Sequence, residues 1–224
     1  MSKDVRVLAV RRSATAIGAA VLLALGASSA LAAETTFAGY TDGCFGLGCT
    51  PPTTAGGTQT TSFQGLTYTA STFNSTTSNG FLGIGSAPGT PNFNNLGSFF
   101  LSTSPFTTYD GNFDVRVTFS APAGTSPNTA IFDDVITGSV SSTGGGGVYI
   151  NFDNTPKSFT FSDGSSSGSF TFAVNDLSIT AGDRVAVTGT ILSSVSPVPE
   201  PETYALMLAG LSALGFIGRR RRKS

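Results

Sequence analysis

Two cysteines, ten carboxylates and no histidine define the chemistry available between residues 33 and 198. Cys44 and Cys49, in the run C-F-G-L-G-C, are the only cysteines of the chain. Gly46 and Gly48 let the loop between them bend, and the spacing reads as a local disulfide. A zinc site would need a second Cys pair or His, and a catalytic thiol would need a base that the sequence does not contain. Asp110-Gly111-Asn112-Phe113-Asp114 places oxygens at alternate positions, as the opening of a calcium loop does. No Glu follows at the twelfth position, and Asp-Gly-Asn is equally an ordinary turn. The expectation is therefore no metal and no cofactor, with Asp110, Asn112 and Asp114 as the reserve candidates. Asp133-Asp134 and Asp153 are further acidic spots, read as solvated strand-edge charge.

The missing histidines also exclude Ser-His-Asp and Cys-His nucleophiles and His-ligated zinc or iron. A glycosidase needs two positioned carboxylates, and no pair stands out; the single Glu of the middle region, Glu34, lies beside its start. No enzymatic activity is expected. Carbohydrate binding asks for exposed aromatic faces, and the region offers Tyr40, Tyr68, Tyr109 and Tyr149 but no Trp. Tyr149 sits opposite the apolar face of its strand, although Tyr is also simply a good strand former.

These residues must be positioned by strands. Thr, Ser, Gly, Phe and Val dominate the middle, while Glu and Lys occur once each there, so long helices are excluded. Phe113 to Phe119 alternates apolar and polar residues, with Asp114, Arg116 and Thr118 on the polar side of a half-buried strand. The same period recurs at Val148–Phe152, Phe159–Phe161, Phe170–Val174 and Val185–Ile191, with further strands at 63–69, 98–102 and 131–140. Turns fall at Pro122 with Gly124, glycines 144–147, Asp163-Gly164 and Gly182-Asp183; residues 50–61 and 83–95 read as loops. The rhythm predicts roughly eight to ten antiparallel strands in an all-β, sandwich or jelly-roll-like single domain. Seventeen of the eighteen Phe fall between Phe37 and Phe172 and are expected to supply its core.

The chain has 12 Lys plus Arg against 13 Asp plus Glu, but the basic residues gather at the two ends. Only Arg116, Lys157 and Arg184 lie between 33 and 198, against ten acidic residues, a balance of −7. An acidic domain of this kind is a poor nucleic-acid binder. At the start, Lys3, Arg6, Arg11 and Arg12 precede an apolar stretch from Ala14 to Ala27, and Ala30-Leu31-Ala32 completes a cleavage site between Ala32 and Ala33. Residues 1–32 read as a signal helix for signal peptidase and the general secretion machinery; the Arg11-Arg12 pair lacks the following residues of a twin-arginine signal. At the other end, Val198-Pro199-Glu200-Pro201 closes a tether over 193–202, followed by an apolar transmembrane helix over 203–218 and a basic cytoplasmic tail. That tail holds Arg219, Arg220, Arg221, Arg222 and Lys223. A 16-residue helix is about 24 Å long, marginal for a hydrocarbon core of about 30 Å. Positive charge stays in the cytoplasm at both ends, which puts residues 33–192 on the far side of the inner membrane.

A Val-Pro-Glu-Pro box, a short apolar helix and a terminal Arg cluster behind a signal peptide resemble the PEP-CTERM sorting signal. The resemblance implies an exosortase partner, a membrane-embedded transpeptidase-like enzyme of Gram-negative bacteria that also make exopolysaccharide. It implies cleavage near Pro199-Glu200-Pro201, after transient anchoring in the inner membrane. The resulting expectation is an exported structural or interaction protein of the cell surface or extracellular matrix, linked to biofilm and exopolysaccharide. A carbohydrate-binding module and a calcium-dependent polysaccharide hydrolase are the alternatives.

Overall fold

Alternating Thr, Val and Phe runs pair with one another rather than with a helix, because β-branched and aromatic side chains pack best on a pleated surface. The computed structural model describes residues 34–54, 56–89, 92–164, 166–197 and 207–212. The signal helix over 1–32 and the Ala32-Ala33 cleavage site lie outside the described residues.

Fourteen strands form among the described residues, and every ladder between them is antiparallel. The largest sheet has six strands, in the order β12 (Leu177–Thr180), β9 (Gly146–Phe152), β8 (Thr129–Val140), β7 (Thr107–Ala121), β1 (Thr36–Phe45) and β4 (Thr72–Thr76). A four-stranded sheet follows the order β10 (Lys157–Ser162), β11 (Ser166–Val174), β14 (Gly189–Pro197) and β5 (Phe81–Ile84). A second one runs β13 (Arg184–Ala186), β6 (Ser98–Leu101), β3 (Leu66–Thr69) and β2 (Thr60–Phe63). The domain is all-β and sandwich-like.

One face of the six-stranded sheet is shared by the two smaller sheets. Phe119 of β7 meets Phe159, Phe170 and Phe172 of the β10–β11 pair at centroid separations of 5.0, 5.0 and 5.5 Å. Six residues earlier on the same face, Phe113 meets Tyr68 of β3 at 4.8 Å and Phe99 of β6 at 4.9 Å. The edge-to-face or tilted geometry of these contacts suits the ring quadrupoles, and each pair adds about 0.5–1.5 kcal/mol beyond area burial. The close fit demands bare backbone at Gly43 of β1, where a Cβ would run into the Phe113 ring and lie 2.9 Å from Tyr68. The Tyr68 hydroxyl is satisfied inside this cluster by the Leu96 carbonyl at 2.8 Å and Thr41 Oγ1 at 2.9 Å.

Several local expectations change. The run 63–69 is two strands, because Gln64 and Gly65 take positive φ (49° and 88°) and turn the chain between β2 and β3. With such divisions and the short strands β4, β5, β12 and β13, the count exceeds eight to ten. Asp110-Gly111-Asn112 is no turn; it lies inside the fifteen-residue β7. The loop expected over 83–95 begins only after β5, and residues 193–197, expected as tether, continue β14 in register with β11. Three of the expected core phenylalanines, Phe81, Phe93 and Phe106, are more than half exposed.

Candidate functional site

The 113–119 stretch of β7 is buried on both sides rather than half-buried. Opposite its Phe113-Val115-Val117-Phe119 face, Asp114, Arg116 and Thr118 are also covered. In register with them on β1 stand Cys44, Asp42 and Tyr40. Cys44 and Cys49 form a disulfide with Cα atoms 6.1 Å apart, and the Cys49 sulfur lies 3.7 Å from Asp114 Oδ2. The chain then returns past buried Pro51 to Gly57, close enough for its N–H to act on Asp42.

Asp42 is fully buried, and among the described residues neither of its carboxylate oxygens has a hydrogen-bond partner; Arg116 Nη1 is likewise unpaired. Directly opposed in the ladder, the two charges nevertheless do not close into an ion pair. Burial raises the Asp42 carboxyl above its ordinary range, partly offset by the Gly57 N–H and the Arg116 charge. Burial also raises Asp114, and neighbouring Asp133 adds to the rise. Asp134 is not a solvated edge charge. It sits on the covered face of central strand β8 opposite Phe113, and burial pushes its carboxyl up to about 8. The Phe113 N–H offsets part of that rise, while Asp114 and Asp133 reinforce it. Asp153, exposed, is lowered by Thr155 hydrogen bonds and forms a 3.9 Å pair with Lys157.

Asp110, Asn112 and Asp114 occupy alternate positions of one extended strand. Each two-residue step advances roughly 6.8 Å, so they do not gather around one ion as a calcium loop would require. Asn112 is instead spent on the Asp134 carbonyl, to which its Nδ2 donates at 3.2 Å. Among the described residues, one trio has metal-ligating atoms within 4.8 Å of one another, Cys44, Cys49 and Asp114, and its sulfurs are tied up in the disulfide. Of the tyrosines, Tyr68 and Tyr109 belong to the core and Tyr40 is half-buried. Tyr149 is 43% exposed, and its hydroxyl donates to Asp176 Oδ2 at 2.8 Å.

At the C-terminal end, Pro197 is the last residue of β14 and pairs with Ser166 of β11. Residues 207–212 form a short helix with Met207, Leu208 and Leu211 exposed. No helix among the described residues is long and apolar enough to cross a membrane. Val198, Pro199, Glu200, Pro201, the flanks of the 203–218 segment and the Arg219–Lys223 tail lie outside the described residues. A family model described as the PEP-CTERM protein-sorting motif matches residues 197–222. The chain carries a PEP-CTERM sorting signal. It is thus an exosortase substrate, exported to the cell surface or beyond. No curated protein and no solved structure matches the chain.

The PEP-CTERM motif is contiguous, so its resemblance to the sorting signal was legible in the sequence. The ectodomain partners were not. Asp176, which anchors Tyr149, lies 27 positions away, and the Asp42–Arg116 opposition joins strands far apart in sequence. Only the Asp-x-Cys alternation in β1 hinted at a polar face there.

Proposed function

We propose that this chain is a non-enzymatic surface or matrix protein of a Gram-negative bacterium. Its C-terminal segment holds it transiently in the inner membrane until exosortase cuts near Pro199-Glu200-Pro201. The released β domain then acts by interaction within a polysaccharide-containing matrix or biofilm. The observation that carries this reading is the boundary between fold and signal: β14 ends at Pro197, and the sorting motif begins at residue 197. A cut at Pro199–Pro201 therefore spares every described strand. The buried carboxylates Asp42, Asp114 and Asp134 are poorly placed to reach a substrate, which favours interaction over catalysis.

The test is the intact mass of the protein recovered from the producing cell's surface or medium. A mass running from near Ala33 to near Pro199–Pro201, with or without hexose increments, is expected. Retention of Thr203 to Ser224 would overturn the reading. Replacing Pro199, Glu200 and Pro201 with Ala is expected to leave an unprocessed precursor in the inner membrane, and normal release of that variant would equally contradict it.

A further inference from the structure

At the β8–β9–β12 end of the six-stranded sheet, the face turned away from the aromatic core carries two cross-strand rows. Thr137, Tyr149 and Ser178 stand opposite one another in the first, and Ser139, Gly147 and Thr180 in the second. Every side chain in these rows is uncharged and exposed. Gly147 contributes no side chain, so the surface beside the Tyr149 ring sinks into an open depression of about 460 Å³. Hydroxyl-bearing Thr137, Ser178 and Thr180 border it.

The ring is held in place. Tyr149 Oη donates to Asp176 Oδ2 at 2.8 Å, and the other oxygen of that carboxylate accepts the Phe152 N–H at 2.9 Å. An aromatic plate anchored at its hydroxyl loses little rotamer freedom when something stacks on it, which is the economy that makes tyrosine effective in binding surfaces. The chemistry of the depression is specific in kind. A flat apolar plate accepts the C–H face of a ring, the adjoining hydroxyls both donate and accept hydrogen bonds, and the Asp176 carboxylate at the ring's hydroxyl disfavours an anionic ligand.

We propose that this face binds a neutral polysaccharide, with one sugar ring stacked on Tyr149 and its hydroxyl groups hydrogen-bonded to Thr137, Ser178 and Thr180. The site rests on the reading of an exported matrix protein and supplies that protein's partner class. It differs from the Phe81–Leu192 pair on the β5–β14 ladder, whose two exposed apolar side chains lie directly opposite each other without a hydrogen-bonded anchor.

The experiment measures retention of the protein, as the producing cell exports it, on cellulose, mixed-linkage β-glucan, galactomannan and dextran, with alginate as the anionic control. Retention on at least one neutral glycan is expected, and Tyr149→Ala is expected to weaken it roughly tenfold or more, the scale of a binding hot spot. Tyr149→Phe keeps the ring and is expected to stay within about threefold of the parent. Matching melting temperatures for the three proteins would attribute the loss to the surface. No retention on any neutral glycan, equal retention by Tyr149→Ala, or preference for alginate would overturn the proposal. So would a dimer, seen by sedimentation velocity, that Tyr149→Ala dissolves without any glycan effect, since a second copy would then occupy the face. Failure of sorting appears in the intact mass, and failure of this site appears only in retention.

Discussion

Asp134 is the residue whose environment departs furthest from its chemistry. A carboxyl on a central strand, 3% exposed and without a hydrogen-bond partner among the described residues, keeps its proton until about pH 8. In the unfolded chain the same group ionises near pH 4. Between those values the unfolded state has already released the proton that the folded state retains, so stability is greatest below the unfolded value and falls as pH rises toward 8. The slope from this one group is up to about 1.4 kcal/mol per pH unit. Asp42 and Asp114, also raised by burial, act in the same direction. Asp134→Asn is expected to flatten the curve and to raise stability at pH 7 to 8, measured by chemical denaturation across pH 4 to 8. A parent protein that gains stability over that range would contradict the burial argument.

At the scale of elements, β7 organises the domain because its 113–119 stretch is covered on both faces. One face feeds two aromatic clusters, Phe119 toward β10–β11 and Phe113 toward β3 and β6, so the two small sheets are tied together through a single strand. The other face carries Asp114 and Arg116 beneath the disulfide-closed loop. The partner strand β1 must then come close without side-chain bulk, which Gly43 permits. Gly43→Ala places a methyl group against the Phe113 and Tyr68 rings and is expected to destabilise the domain by about 1–3 kcal/mol, the usual cost of overpacking. Denaturant midpoints of the two proteins check this; a change below a few tenths of a kcal/mol would mean that the rings move aside freely.

At the scale of the whole molecule, the folded domain and its address are consecutive. The last described strand, β14, is central to its sheet, lying between β11 and β5 and pairing with β11 from Gly189 to Pro197. A chain stopped after Pro197 is therefore expected to melt within a degree or two of the exported form. One stopped at Gly189 would lose the strand that joins β11 to β5 and is expected not to fold cooperatively. Calorimetry of both truncations decides it; a stable product from the shorter chain would show that β14 is dispensable and that the boundary lies earlier.

The amino-acid sequence by itself determined three things about this protein: the all-β class, the acidic middle between basic ends, and the sorting signal. Each depends on residues that are neighbours in the chain, either alternating with the two-residue period of a strand or standing side by side in a recognition box. The tertiary structure decided what distant residues do to one another. Asp110 to Asn112 reads locally as a turn and becomes strand, because β8 supplies it with backbone partners at Thr137, Ile136 and Val135. Asp134 reads as solvated charge and becomes buried, because its strand is central and it is paired with Phe113, on the face that the aromatic core covers. Tyr149 alone is an ordinary strand residue; Asp176 on one side and bare Gly147 beside it make an anchored, open ring. Strand pairing across long sequence separations sets burial and partners, and no local pattern encodes which strands will meet.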